Sequence, residues 1–238
     1  MRTIVTGAAG FVGSTLVDRL LAAGHQVIGI DNLKFGSTAN LEGALECGAT
    51  GRFKLLTLDV QAPELIGVVA GVMPSVIFHL AAHVDPQVAV DDPQFDARTN
   101  ILGTINLCEA CRLTDVRRIV YATTTLDTQR SLSSPHVVAK LAGEMYLRSY
   151  ADRYGLAPVC LAFGSVYGPR QNHCGATHAM AAESSQAHES IHIDEVVDAL
   201  MHAGCTPDVE SGTYCVGAGT RTAALSGWEP RINVGMAV

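Results

Sequence analysis

A doubly wound α/β fold, with a parallel sheet covered by helices on both faces, is predicted by three features of this 238-residue chain. Short apolar, β-branched runs alternate with helical patterns, and that alternation implies parallel strands joined by crossover helices. The first run, Thr3-Ile4-Val5-Thr6, ends in glycines spaced Gly7-x-x-Gly10-x-x-Gly13 and passes at once into an amphipathic segment. The next run, Gln26-Val27-Ile28-Gly29-Ile30, ends in Asp31, 18 residues past Gly13.

Taken in order, each element has a physical job. Gly7 permits the tight turn after the first strand (residues 3–6), and Gly10 lets backbone approach a pyrophosphate without a Cβ in the way. Gly13 lets the first helix, expected over 11–23, lie close on its strand. Its N-terminal amides, with Phe11 and Val12, then face the phosphates. The second strand (26–30) delivers Asp31 to the ribose hydroxyls of an adenosine. An acid there disfavours the extra phosphate of NADP, so NAD is the expected cofactor. Further strands are expected over 53–58, 76–80, 118–123 and 158–163, and helices near 61–72, 94–113, 136–154 and 194–203. Val76 to Ala82 reads as a buried central strand. After Arg170 the character changes. Residues 171–190 are small and polar, with four histidines (173, 178, 188, 192) in or beside them, and read as a mobile or ligand-dependent loop. Residues 220–238 have no strong pattern. The expected organisation is a Rossmann-type NAD-binding domain over 1–170 and a small, reduced C-terminal substrate lobe over 171–238, packed on the first and not independent.

Composition narrows the classes further. Hydrophobic content of 48% with 16% charged residues describes a compact chain able to bury a sizeable core. A net charge of −7 with no basic run excludes nucleic acid as an expected partner. No apolar stretch reaches the length of a membrane span, and no signal-peptide pattern opens the chain. Seven scattered cysteines suit free thiols and a cytoplasmic location rather than a disulfide framework.

Ordered motifs along the chain resemble the extended short-chain dehydrogenase/reductase family, in its branch of nucleotide-sugar epimerases and dehydratases of UDP-glucose 4-epimerase type. They are Thr6-Gly7-Ala8-Ala9-Gly10-Phe11-Val12-Gly13-Ser14, Asp31-Asn32, Asp59-Val60, His79-Leu80-Ala81-Ala82 and Asn100-Ile101-Leu102-Gly103-Thr104. Later come Val166-Tyr167-Gly168-Pro169-Arg170-Gln171, Ile191-His192-Ile193-Asp194-Glu195-Val196-Val197-Asp198-Ala199 and Gly212-Thr213-Tyr214-Cys215-Val216-Gly217. The resemblance is dense over 1–171 and patchy over 172–220. It implies that Asp59 accepts from the adenine amino group while Val60 packs on the ring. It also implies that Leu80, Ala81 and Ala82 line the sheet's switch point, where a dinucleotide crosses. Asn100 helps hold the central helix and the catalytic wall. Asn32, Thr123 and Phe163 complete the implied cofactor contacts, and hydride transfer at a sugar-like or nucleotide-linked alcohol is the implied reaction. Helices equivalent to 94–113 and 136–154 pair with those of a second subunit in the family, so a homodimer is expected.

The resembling family places a catalytic Tyr four residues before a Lys, with a Ser or Thr on the preceding strand. Here Ser134-Pro135-His136-Val137-Val138-Ala139-Lys140-Leu141-Ala142-Gly143-Glu144 fixes the register through Pro135, Lys140 and Glu144. The Tyr position is therefore His136. Lys140 keeps its implied role of binding the nicotinamide ribose, and Thr124 matches the strand hydroxyl. Three roles for His136 stay open. It is a substitute acid/base, a neutral imidazole kept so by the Lys140 charge; or a bland helix-start residue in an NAD-binding protein without turnover; or a bystander to a proton supplied by Tyr121 or Tyr167. Only 11 residues separate Thr124 from His136, and Leu126-Asp127-Thr128 replaces the family's "VYG". Only 23 residues lie between Arg170 and Asp194, fewer than the family's substrate insert, and no Arg precedes that motif; Arg170 or Arg221 is left to meet a phosphate. Cys108-x-x-Cys111 reads as two core residues on a helix. No metal site is expected from His173, Cys174, His178, His188 and His192, whose spacing is irregular.

Overall fold

The computed structural model describes residues 1–47, 51–124, 134–171, 190–217, 225, 227 and 228. A parallel sheet of seven strands runs through it in the order β3-β2-β1-β4-β5-β6-β9, with β1 at Arg2–Thr6, β2 at Gln26–Asp31, β3 at Phe53–Thr57, β4 at Val76–His79, β5 at Arg118–Thr124, β6 at Ala157–Phe163 and β9 at Gly212–Val216. Two short strands, β7 (Ser165–Tyr167) and β8 (Ser190–His192), pair in parallel beside it. The six strands read from sequence are all present, each within a residue of its expected ends. β1 and β4 are buried along most of their length because helices cover both faces, and such strands read as continuous apolar runs rather than alternating ones.

Helices divide between the faces. α1 (Phe11–Ala22) and α8 (Ile193–Cys205) pack together over one core, whose members include Leu16, Leu20, Val120, Leu161, Val197 and Leu200. On the other face lie α3 (Leu65–Val72), α6 (Gly103–Thr114) and α7 (Pro135–Tyr154), over Ile4, Ile77, Leu107, Cys108, Tyr121 and Leu147. Cys108 and Cys111 are buried there, and burial holds the Cys111 thiol up at about 12. α7 starts with Pro135 in its first turn and stops at Gly155, whose φ of 70° gives the left-handed cap that glycine takes without strain.

The helix expected over 94–113 is helical from Pro93 to Thr114, with a π-helical turn inside it. α4 (Pro86–Asp91) and α5 (Pro93–Ala97) each start from an aspartate cap, Asp85 and Asp92, followed by proline, and residues Arg98–Leu102 form a π-helical turn before α6. The caps set the two starts: Asp85 accepts from the Gln87 and Val88 amides and Asp92 from the Phe95 amide, donors that a first turn leaves without helical partners. The helix expected over 61–72 starts later, at Leu65. α2 (Glu42–Cys47) and a 3₁₀ turn at Thr38–Leu41 had no sequence signal strong enough to place them. Past residue 171, α8 and β9 are built into the main layers: β9 pairs with β6 from Val159–Gly212 to Phe163–Val216. The rest of the expected substrate lobe falls on 172–189 and the region after 217, almost all outside the described residues, as does the loop read over 171–190 apart from its two end residues.

Candidate active site

The order of strands reverses between β1 and β4, and the loops after both strands meet there. A Cβ on Gly7 would lie 2.7 Å from the Ala81 nitrogen and 2.8 Å from the Leu80 carbonyl oxygen, and Gly7 itself has φ +71°. Only glycine turns the chain at that spot. A Cβ on Gly13 would collide with the Gly7 carbonyl oxygen, so α1 rests directly on the turn. Gly10 faces more open space: a Cβ there would meet only the Gly7 carbonyl oxygen, at 3.3 Å, and Gly10 gives α1 no side-chain cap. The first amides of α1, at Phe11 and Val12, thus open beside Leu80, Ala81 and Ala82, which are partly exposed.

Asp31 sits at the end of β2, mostly buried. It accepts from the Ala9 amide at 2.9 Å and from the Leu33 amide at 2.8 Å, tying the glycine turn to the loop that follows β2. Asn32 donates to Asp59 at 2.8 Å, and Asp59 also caps Gln61. Val60 is buried against Gly103, and its carbonyl accepts from Asn106 at 2.7 Å. These contacts tie together the glycine turn, the loop after β2 and the segment after β3.

A directional hydrogen-bond chain crosses under the floor. Thr104 donates to the Asn100 carbonyl at 2.8 Å, so its oxygen accepts from His79 Nε2 at 3.0 Å. His79 Nδ1 then accepts from Thr6 at 2.8 Å, and the Thr6 oxygen accepts from the Ala81 amide at 3.2 Å. Complete burial pushes His79 down to about 3, with the Lys140 charge adding to it, so the ring is neutral and holds the relay in one direction.

The opposite wall is α7 with the end of β5. Lys140 is buried, its Nζ 4.1 Å from the Tyr121 ring centre, and burial brings its ammonium down to about 7. Tyr121 is fully buried; its hydroxyl donates to the Lys140 carbonyl at 3.1 Å, and burial pushes the phenol far up. That removes Tyr121 as a proton donor to substrate. Tyr167 lies on β7, edge-on to the His192 ring at 5.2 Å. Side chains alternate along β5: Ile119 and Tyr121 face α7's core, Val120 and Ala122 the other. The same alternation puts Thr123, not Thr124, on the side of Tyr121 and Lys140. Thr123 Oγ1 is buried there without a hydrogen-bond partner, while Thr124, the hydroxyl matched from sequence, falls on the other side of the strand. Phe163, at the end of β6, is buried beside Thr124 and Val216 in the sheet register.

His136 stands one turn before Lys140 on α7, and its ring reaches two groups that chain spacing had not joined to it. Its Nδ1 lies 3.7 Å from Asp96 Oδ1 and 3.5 Å from Asn100 Nδ2. Burial, then the Lys140 charge, lowers its pKa below the usual imidazole value, against an opposing pull from Asp96. Asn100, expected to help hold the central helix and the catalytic wall and counted among the cofactor contacts, has its side chain engaged within the protein: Nδ2 donates to Asp96 at 2.8 Å and to the His83 carbonyl at 3.0 Å, while its oxygen accepts from the His83 amide at 3.0 Å. With its polar atoms engaged, it braces the wall rather than reaching into the cleft. Asp96 and His83 were missed in the sequence; the signal for Asp96 was its place one helical turn before Asn100.

Other expectations meet plain structural uses. Arg170 pairs with Asp18 of α1 at 2.8 Å, and His192 caps α8 through the Asp194 amide. Arg221, His173, Cys174, His178, His188 and the segment Leu126-Asp127-Thr128 lie outside the described residues. Among the described residues no group of three or more His, Cys, Asp or Glu side chains could hold a metal ion, and no helix is long and apolar enough to cross a membrane.

Comparison with known proteins places the chain. The pattern of the NAD dependent epimerase/dehydratase family matches residues 3–217. A UDP-glucose 4-epimerase of Mycolicibacterium smegmatis is 38% identical, over 93% of this chain and 79% of that protein. A putative UDP-glucose 4-epimerase of Methanocaldococcus jannaschii is 31% identical, over 72% of this chain and 58% of that one. Among solved structures, the Thermus thermophilus UDP-glucose 4-epimerase in complex with NAD superposes with a TM-score of 0.76 at 30% identity, covering 92% of this chain and 78% of that one. The Thermotoga maritima UDP-glucose 4-epimerase with UDP-glucose gives 0.78 at 27% identity, covering 91% and 77%.

Proposed function

The chain belongs to the NAD dependent epimerase/dehydratase family, and on that premise we propose that it is an NAD(H)-dependent enzyme of extended short-chain dehydrogenase type, acting on an alcohol of a nucleotide-linked or sugar-like substrate. His136 takes the place of the family's tyrosine. The observation that carries this reading is the pairing of an open, uncapped α1 terminus with a buried Lys140 and an unpartnered Thr123 hydroxyl on the facing wall. A buried hydroxyl without a partner is unfavourable by about 1–3 kcal/mol and marks a place where a ligand oxygen completes the structure.

The residues fit the cofactor of the family. The Gly7–Gly13 turn and the amides of Phe11 and Val12 would hold the two phosphates, Asp31 the adenosine ribose, and Asn32, Asp59 and Val60 the adenine. Leu80, Ala81 and Ala82 would line the crossing at the switch point, with Phe163 and Thr123 at the nicotinamide end and Lys140 on its ribose. NAD, when bound, supplies a hydride acceptor and, in an epimerase, returns the hydride to the opposite face. The protein's own part is the proton. A neutral His136 can accept one from a substrate hydroxyl near pH 7, while Thr123, or Thr124 at the strand's end, shares the hydrogen bond to that oxygen.

A second reading keeps the cofactor and drops the turnover. Histidine for tyrosine, with 11 residues between Thr124 and His136 and 23 between Arg170 and Asp194, favours a silent NAD-binding homologue serving as a regulator or partner subunit. Both readings include a homodimer through the helices over 94–113 and 136–154, where Leu102, Leu113, Val138, Met145 and Tyr146 are exposed, and a cytoplasmic setting.

One experiment decides between them. The purified full chain is assayed for co-purifying NAD(H) and then offered UDP- and TDP-sugars, following nicotinamide absorbance and the sugar's proton spectrum. Epimerised or oxidised sugar, lost in His136→Ala with NAD affinity retained, supports the enzyme. Bound NAD that no sugar ever reduces supports the silent homologue, and a chain that binds no NAD overturns both.

A further inference from the structure

We propose that Asp96 is the positioning residue for His136, and that the two form a carboxylate–imidazole pair replacing the single phenol that the family uses at this position. The proposal rests on the reading of His136 as acid/base. It starts from a buried carboxylate with too little compensation. Asp96 is 1% exposed, and its Oδ1 is faced by three nitrogens: Asn100 Nδ2 at 2.8 Å, His83 Nδ1 at 3.4 Å and His136 Nδ1 at 3.7 Å. Only the first is a firm hydrogen bond. A carboxylate taken out of water needs an opposing charge or several donors, and at Oδ1 one firm amide and one long imidazole contact serve it at rest.

The geometry gives the imidazole a direction. Both Asn100 amide hydrogens go to Asp96 and to the His83 carbonyl, so His136 Nδ1 has no firm donor from that side. It keeps its own hydrogen, directed at Asp96. That leaves Nε2 with the lone pair. When a substrate hydroxyl gives up its proton, the O–H bond breaks as the Nε2–H bond forms, and the positive ring then faces Asp96. The proton returns along the same line in the reverse half of the reaction, so protons and charge balance within the pair.

The titratable groups facing the ring among the described residues are Asp96 on α5, His83 after β4 and Lys140 one turn along α7. Lys140 and burial keep the ring neutral at rest, ready to accept. Asp96 favours the charged form once it exists. The His83 ring stands on the other flank of the carboxylate, wedged between Phe35 and Phe95 at centroid distances of 5.2 and 5.1 Å. Its Nε2 is buried with no partner. Packing between the two phenyl rings, together with the long Nδ1 contact to Asp96, therefore fixes that ring and with it the lateral position of Asp96.

The test uses the full chain with ¹⁵N-labelled histidine. Long-range nitrogen–proton spectra identify the His136 tautomer, its signals assigned by their loss in His136→Gln. In the unaltered protein the Nδ1–H tautomer should dominate. Asp96→Asn keeps an oxygen for Asn100; it should lower the His136 titration midpoint by about one pH unit, because an opposite charge at this range is removed, and should mix the tautomers. With a turned-over sugar, kcat should fall at least about tenfold while KM and NAD affinity stay within about twofold. The loss should vanish in a His136→Tyr background, where a phenol no longer needs the carboxylate. An unmoved midpoint, or an equal loss beside Tyr at 136, overturns the pairing. Turnover that survives His136→Ala overturns the acid/base reading instead, and the titration midpoint still judges the pair on its own.

Discussion

Lys140→Met should make the protein without cofactor more stable, by an amount that shrinks as pH rises. The ammonium has an ordinary value of 10.5 and burial brings it to about 7. The gap of about 3.5 corresponds to about 5 kcal/mol at about 1.36 kcal/mol for each pH unit. Near pH 7 the folded form is half protonated, so the destabilisation is about 4 kcal/mol, and the Tyr121 ring returns up to about 2 of it. The sign follows from the protons. The unfolded chain holds the Lys140 proton up to about pH 10.5 and the folded chain releases it near pH 7, so wild-type stability rises across that window. Urea unfolding of both proteins, compared at each pH so that every other group cancels, should show Lys140→Met ahead by about 2–4 kcal/mol at pH ~7 and by about 2 kcal/mol less at pH ~9. NAD should raise the unfolding midpoint of the variant less than that of the wild type. A less stable variant, or a constant difference between those pH values, would refute the reasoning.

Gly10→Ala should fold within about 1 kcal/mol of wild type, since its methyl meets only the Gly7 oxygen at 3.3 Å. It should nonetheless weaken NAD at least about tenfold, because the methyl stands where a phosphate approaches; calorimetric Kd values check it. Gly13→Ala should instead lose stability outright, by about 3 kcal/mol or more, since backbone blocks its methyl. Asp31→Ala frees the Ala9 and Leu33 amides and should lower stability by about 1–3 kcal/mol while erasing the preference for NAD over NADP; parallel titrations with both dinucleotides would contradict this if the ratio held. A Cβ on Gly143 would sit 2.6 Å from the Tyr121 hydroxyl. Gly143→Ala should therefore be destabilised by about 1–3 kcal/mol, with partial recovery in Gly143→Ala/Tyr121→Phe; thermal melts showing no recovery would mean that this contact is not the cause.

The parallel sheet was legible because its signals are local. A buried β-branched run, a glycine turn and an amphipathic helix each declare themselves within about a dozen residues, and the motifs around Gly7, Asp31 and Asp59 follow in chain order. The helical run over 94–113 was legible as helix, but not with the π-helical turn at Arg98–Leu102 inside it. Its separation from α4 depends on Asp92 meeting the Phe95 amide, an energetic detail that periodicity does not carry. Edge strand β9 has no apolar run of its own and exists through pairing with β6.

By itself, the sequence determined that this polypeptide makes a parallel sheet with a glycine turn after its first strand, and that His136 lies one helical turn before Lys140, since both follow from residue type and spacing. Tertiary structure decided which atoms share the wall. The pleat phase of β5 chose Thr123 over Thr124 for the α7 side, and complete burial withdrew Tyr121. Three distant segments brought His83, Asp96 and His136 around one carboxylate oxygen. Spacing along a chain fixes faces and periods, whereas convergence of remote side chains depends on how the layers pack, and packing is a property of the whole fold.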